Sequence, residues 1–216
     1  MRTILAIDTC TEVLSVCLSH SGQTYNRLVQ GVAKSSGLVL NLCDEIFAEA
    51  DITPSEIELI CYTKGPGAFT GVRLCVGVAQ GLSYANNIPT LGLSTLEVLG
   101  YGAAKQLGAE RIAVALDARM SEVYWGVYAA GQLGPELLKK PEEVPQLDGD
   151  FVGAGSGWGA YAQALSTASG VTQHHSALYP RAEDMIEMAL TQQHTMDSTL
   201  PLPTYLRNNV AQKSLK

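Results

Sequence analysis

Apolar and polar positions change period several times along the chain. Residues 3–8 (TILAID) and 13–19 (VLSVCLS) are short apolar runs that read as a buried strand and its partner. His20-Ser21-Gly22-Gln23 then turns the chain into a third strand at about 24–30. From 37 to 50 (GLVLNLCDEIFAEA) the spacing becomes helical, with Leu38, Leu42 and Ile46 on one stripe and Val39, Cys43 and Ala50 beside it. Ser35 or Ser36 is the expected N-cap. A strand at about 57–63, a helix at about 71–85, a strand near 88–93 and a helix from Ser94 or Thr95 to about Gln106 complete the order βββαβαβα.

The second half restarts with RIAVALD (111–117), and the restart matches the N-terminus in more than hydrophobicity. Ile4-Leu5-Ala6-Ile7-Asp8 lies over Ala113-Val114-Ala115-Leu116-Asp117, and Glu12-Val13 falls beside Glu122-Val123 with one residue inserted between. An aspartate at a strand end, a short turn, Glu-Val and a second strand thus occur twice, half a chain apart, which predicts an internal duplication. Beyond it, residues 135–150 are polar and punctuated by proline, as surface structure is. Residues 151–161 read as a strand entering a glycine-rich turn and helix, and 180–190 as an amphipathic helix with Ala182, Met185, Ile186 and Ala189 on one side. The end, YLRNNVAQKSLK, reads as a fraying basic tail.

Composition narrows the class. A chain of 216 residues with 46% hydrophobic and 16% charged positions is long enough to bury a substantial core in one or two domains. Its apolar runs stop short of a membrane span, and the first apolar stretch is broken by Asp8, so it reads as a strand and not a signal peptide. Five cysteines with no C-x-x-C pair fit buried thiols in a reducing, cytoplasmic setting better than a disulfide framework. A net charge of −7 argues against a chain that grips nucleic acid by itself, because phosphate contacts supply most of that affinity. If RNA is involved, another subunit is expected to hold it.

The stretch Lys64–Arg73, KGPGAFTGVR, follows an apolar run and invites comparison with a phosphate loop. Counted out, it fits neither G-x-x-x-x-G-K-[ST] nor G-x-G-x-x-G, since the cations bracket the loop instead of ending it. Thr70 is the expected N-cap of the following helix, with Phe69 and Leu74 spaced for a hydrophobic staple. A weak anion site at that helix start stays open beside this structural reading. Within the helix, Gly71, Cys75 and Ala79, and separately Gly77 and Gly81, are small residues four apart. Glycine inside a helix costs about 1 kcal/mol against alanine, so this spacing predicts close approach of another backbone, from this chain or from a partner. Arg73, Gln80 and Tyr84 near the Gly77 face give it the polar-aromatic mixture of an interface.

Asp8 and Asp117 sit at strand ends, where two-lobed phosphotransferases place their phosphate-directed carboxylates. The glycine expected two residues later is Cys10 in one copy and Arg119 in the other. Turn capping competes with nucleotide binding as the role of both aspartates. His20, His174, His175 and His194 form no H-x-x-x-H or H-E-x-x-H pattern, so no metal site is expected, and Gly153–Gly157 lacks the G-x-S-x-G serine motif.

Four blocks taken together, AIDT near the start, GPGAFTGVR, DARMSEVYW at 117–125 and YLRNNVA at 205–211, resemble the bacterial TsaB (YeaZ) family from residue 1 to about 211. The resemblance implies an α/β fold of the actin/Hsp70/sugar-kinase (ASKHA) type with two βββαβαβα lobes, 1–107 and an abbreviated 108–216. It also implies an accessory subunit without a working active site of its own. Such a subunit acts with the paralogue TsaD and the ATPase TsaE to place N6-threonylcarbamoyladenosine (t6A) at position 37 of tRNAs that read codons beginning with A. TsaD-type relatives carry metal-binding histidines at the start of the first helix, where this chain has Lys34-Ser35-Ser36-Gly37. No cofactor is then expected on this subunit, although ATP or ADP could sit at the joint with a partner. The expected partner face comprises Leu38, Leu42, Ile46, Arg73, Gly77, Gln80, Gly81 and Tyr84, engaging TsaD or, in its absence, a second copy as a homodimer. tRNA would be reached only through the complex. The competing reading is an autonomous ATPase or phosphotransferase using Asp8 and Asp117.

Overall fold

A computed structural model describes residues 2–31, 36–191 and 200–207. Ile4–Asp8 (β1), Val13–His20 (β2) and Gln23–Gln30 (β3) form an antiparallel meander, and Ser36–Ala50 (α1) follows. Then come Leu59–Thr63 (β4), Phe69–Asn86 (α2), Thr90–Leu93 (β5) and Thr95–Leu107 (α3). The sheet order is β3-β2-β1-β4-β5, with β4 and β5 parallel to β1. The second half repeats it. Arg111–Asp117 (β6), Val123–Ala129 (β7) and Gln132–Leu133 (β8) make the meander, and Leu137–Lys139 (β9) pairs with the start of β7. Val152–Ala154 (β10), Ser156–Ser169 (α4), Gln173–His175 (β11) and Ala182–Thr191 (α5) finish the chain order, and the sheet reads β11-β10-β6-β7-β8. Read from the other edge, the two sheets have one topology, which is the ASKHA arrangement.

The central strands are apolar on both faces because both faces are covered. Along β1, Leu5 and Ile7 enter a core with Val39, Ile46, Cys75 and Ala79 of α1 and α2. Ile4 and Ala6, pointing the other way, meet Ala182, Met185 and Met188 of α5. In β6, Ile112, Val114 and Leu116 pack on Leu96, Leu99 and Ala103 of α3, while Ala113 and Ala115 face Trp158 and Leu165 of α4. The last helix of each half therefore lies on the sheet of the other half. Helices α3 and α5 form a shared middle layer, joined where Lys105 pairs with Asp184 and Glu187. Helix α3 starts at Thr95, one of the two expected starts, and Ser94 is its cap, the hydroxyl accepting from the Leu96 and Glu97 N–H groups. Ser35, the other proposed cap of α1, lies outside the described residues.

The second copy is shortened where α1 stands in the first. Residues 140–151 hold only a 3-10 turn at Pro141–Glu143, and this stretch is less superficial than its polarity suggests. Val144 and Leu147 fill in against Trp125 and Trp158, covering the outer face that a full helix would otherwise protect. No described helix is long and apolar enough to cross a membrane.

Candidate functional site

The loop between β4 and α2 is built to meet the β1–β2 hairpin, not a free ligand. Helix α2 begins at Phe69, one residue before the expected cap; its N-cap is Ala68 and carries no side-chain hydrogen bond. Thr70 lies exposed in the first turn, and Phe69 points outward at 45% exposure instead of stapling to Leu74. The hairpin supplies what the expected cap does not. Cys10 O accepts the Ala68 N–H at 2.8 Å, and the Thr9 hydroxyl donates to Gly71 O at 2.6 Å. A Cβ on Gly67 would collide with Cys10 O, and one on Gly71 with Thr9 O. These two glycines let one loop lie directly on another.

The same contacts decide what Asp8 can do. Its side chain is completely buried, and Oδ1 accepts from Cys10 N at 3.1 Å and from the Thr63 hydroxyl at 2.5 Å. The Cys10 thiol beside it is pushed well above its ordinary range by burial first, then by Cys75 and the Asp8 charge, which leaves it a poor nucleophile. Asp117 occupies the equivalent strand end in the second sheet but lines an interlobe cavity of about 500 Å³. It accepts the Arg119 N–H at 2.8 Å and pairs with the Arg119 guanidinium at 2.9 Å. The Tyr161 hydroxyl also approaches Asp117 at 3.4 Å, and that phenol is pushed up by desolvation and the neighbouring carboxylate. The cavity lining takes in Thr11, Glu12, Gly67, Ser156 and Tyr205 but not Asp8. The two aspartates are therefore not brought together on one cavity surface.

The turn after Asp117 is strained. Arg119, Met120 and Ser121 take φ values of 61°, 55° and 57°, three consecutive non-glycine residues in the left-handed region. Such a conformation costs roughly 1–2 kcal/mol per L-residue. Arg207 offsets it from outside: its Nη2 donates to Ala118 O at 3.1 Å and pairs with Glu122 at 2.6 Å. Tyr205–Arg207, which the sequence reads as the start of a fraying tail, is thus bonded into the cleft; residues 208–216 lie outside the described residues. Both arginines at the cavity are already matched by carboxylates, and the closest approach to the glycine loop is filled by Cys10.

The outer face of α2 differs. Gly71, Cys75 and Ala79 are the inward stripe, buried on the first sheet. Gly77 and Gly81 face away, and among the described residues a Cβ built on either meets nothing within 4 Å. With Leu40, Arg73, Leu74, Val78 and Leu82 they line an open groove of about 430 Å³. Of the expected partner residues, Leu42 and Ile46 are corrected: they are 6% and 0% exposed and belong to the core. Leu38 is half-buried beside them. Of the large apolar residues described on α1, Leu40 is the one that faces outward, at 40% exposure; the 38/42/46 stripe passed over it because the packed face runs instead through 39, 42, 43, 46 and 47. Tyr84 is 85% exposed on the same helix as Gly77, while Gln80 donates to Pro201 O at 2.6 Å. Arg73 stacks on Phe69, its guanidinium 3.6 Å from the ring centre, and donates to the Tyr205 hydroxyl at 3.1 Å.

Three comparisons bear on identity. The sequence profile of the family described as "TsaD: tRNA N6-adenosine threonylcarbamoyltransferase" matches residues 31–215. The tRNA threonylcarbamoyladenosine biosynthesis protein TsaB of Escherichia coli is 37% identical over 98% of this chain and 97% of its own length. Its Haemophilus influenzae counterpart is 34% identical over 99% and 97%. A solved Pseudomonas aeruginosa structure, described as an uncharacterized protein with similarity to peptidase YEAZ, superposes with a TM-score of 0.87 at 37% identity, covering 96% of this chain and 100% of that one. With one sheet topology repeated, the match running through both halves, and end-to-end relatives of this similarity, the chain belongs to the TsaB (YeaZ) family, within the wider TsaD-like group.

Proposed function

We propose that this chain is a non-catalytic accessory subunit for threonylcarbamoyl transfer to N6 of adenosine 37 in tRNAs reading codons that begin with A. It docks a TsaD paralogue, which carries the chemistry, on the groove between α1 and α2, and TsaE joins the pair. In isolation the same groove seats a second copy of the chain.

The observation that carries the reading is the pair Gly77 and Gly81. Each costs the helix about 1 kcal/mol relative to alanine, and no described residue approaches either one closely enough to explain it. The compensation belongs to a contact outside the chain, where a second helix can approach the backbone between Leu40, Leu74 and Leu82. Arg73 marks one end of the groove, and no carboxylate pairs with it among the described residues. The net charge of −7 supports tRNA being held by the complex and not by this subunit alone. Any ATP or ADP then sits at the joint with the partner.

Gly77→Leu tests the docking face with little risk to the fold, since the site is open. The expected outcome is unchanged thermal unfolding with loss of co-purification with TsaD by at least tenfold. A complex of undiminished affinity removes this face from the proposal. Reconstituted tRNA modification with and without the subunit tests the wider role, t6A formation being expected only in its presence. Mg-ATP turnover by the isolated chain, abolished by Asp117→Asn, would replace the accessory reading with an autonomous enzyme.

A further inference from the structure

Residues 200–207 run from the first half of the molecule to the second across the mouth of the interlobe cavity. At the first half, the Leu202 N–H reaches the Tyr62 hydroxyl at 3.3 Å, and the Thr204 N–H donates to Lys64 O at 2.7 Å. Gln80 and Arg73, seven residues apart and so on one side of α2, hold Pro201 O and the Tyr205 hydroxyl. The Tyr205 ring lies 6.1 Å from that of Phe69. Gly65, with φ at 100°, has no room for a Cβ because Thr204 O would stand 2.8 Å from it, so the first glycine of KGPGAFTGVR is kept clear for this segment. At the second half the anchor is Arg207, on Ala118 O and the Glu122 carboxylate, with its side chain only 12% exposed.

We infer that residues 200–207 are a strap that fixes the second half of the molecule against α2, with Arg207 as the positioning residue that holds the left-handed turn at 119–121. Three facts converge on it. The strap is bonded at both ends, its far anchor binds the carbonyl face of the strained turn, and two of its near anchors, Arg73 and Gln80, are side chains of the helix that bears the docking groove. Arg73 belongs to both the strap and the groove. A partner seated on the groove therefore acts on the interlobe turn through Arg73, Tyr205 and Arg207; this second step rests on the docking face proposed above, whereas the strap itself does not.

Hydrogen exchange on the full isolated chain separates the two. The Arg119 N–H is held by Asp117 and the Glu122 N–H by Arg119 O, so both report on the turn. Arg207→Ala should speed exchange at 118–122 at least tenfold while β1, β2 and β4 keep their protection, and Arg207→Lys should restore part of it. Unchanged exchange in Arg207→Ala means that the turn supports itself, and overturns the strap. The double variant Arg73→Ala/Gln80→Ala cuts only the α2 anchors, far from the turn, and should also raise exchange at 118–122. If it does not, transmission from the groove is overturned even where Gly77→Leu has established the groove as the docking face.

Discussion

Asp8 and Asp117 end the first strand of each sheet, and each accepts a backbone N–H from the second residue beyond it, Cys10 in one case and Arg119 in the other. From there the hairpins diverge. The first has closed on the β4–α2 loop: Thr9, Cys10, Gly67 and Gly71 lie backbone on backbone, and the carboxylate has no exposed surface. The second stays at the cavity wall, and its turn takes a left-handed course with Arg207 bound to its carbonyl face. Neither copy has a glycine two residues after its aspartate. In the first, a neighbouring loop packs backbone on backbone against the hairpin; in the second, the turn carries strain and Arg207, distant in sequence, carries the compensation.

The largest expected consequence is an asymmetry in stability. Asp8→Ala removes the acceptor of the buried Cys10 N–H and leaves the buried Thr63 hydroxyl with only the weakly bonding thiols of Cys10 and Cys75, so a loss of about 3 kcal/mol is expected in chemical denaturation. Asp117→Ala removes one turn bond, the long Tyr161 hydroxyl contact and one pair to an arginine that is 79% exposed, and about 1 kcal/mol is expected. Equal losses would mean that the two hairpins are energetically equivalent despite their burial. Gly71→Val should be as damaging as Asp8→Ala, because the obstructing atom is the Thr9 backbone carbonyl and cannot rotate away.

Alkaline titration sharpens the same contrast. All five cysteines lie between residues 10 and 75, and none lies in the second copy. Burial pushes the thiols of Cys17, Cys43 and Cys61 from 9.0 to about 12. In the unfolded chain they ionise from about pH 9 while in the folded chain they stay protonated, so unfolding releases protons in that window. Stability is then level below pH 9 and falls between pH 9 and 12, by up to about 1.4 kcal/mol per pH unit for each thiol. The melting temperature should drop over that range, and Cys61→Ala should drop less steeply than the parent even if it starts lower. Parallel slopes would rule out the thiols as the cause.

How much of this was legible in the chain depends on whether the cause was local. The duplicated Asp-turn-Glu-Val pattern is local, and it located both sheets and both hairpins. The exchange of α3 and α5 between sheets is not written in either helix, since an apolar stripe says that a helix is covered and not by what. Thr70 is a sound cap by local chemistry, yet Ala68 holds the position because Cys10, far earlier in the chain, supplies the acceptor. Gly71 and Gly77 look alike in the sequence, and only the structure separates the one pressed on Thr9 from the one facing open space. The stripe on α1 was misread by the smallest of margins: helix faces at 38 and 39 differ by one step, and that step put Leu42 and Ile46 on a docking face when they belong to the core. Arg207 was visible only as part of a familiar block, with no periodicity or pattern to announce a bond to a turn 88 or more residues away.

The smallest effect is the one most specific to the comparison. Arg119→Gly puts a glycine two residues after the strand-end aspartate, the spacing expected of a phosphate-directed hairpin, into the copy whose aspartate lines the cavity. Glycine adopts a φ near 61° without steric cost, but it also gives the unfolded chain more freedom to lose, and the exposed pair to Asp117 disappears. These terms nearly cancel, so a net change within about 0.5 kcal/mol is expected in denaturation, with the sign toward stability because the strain at Arg119 is relieved. No Mg-ATP binding should be gained, because the first hairpin still occupies its side of the cleft through Cys10 and Ala68. Calorimetry with Mg-ATP decides which hairpin limits access to the cleft. Binding gained by Arg119→Gly alone would place the obstruction in the second hairpin and leave the closed first hairpin irrelevant, whereas no binding keeps the closure of the first hairpin over Asp8 as what shuts the cleft to a nucleotide.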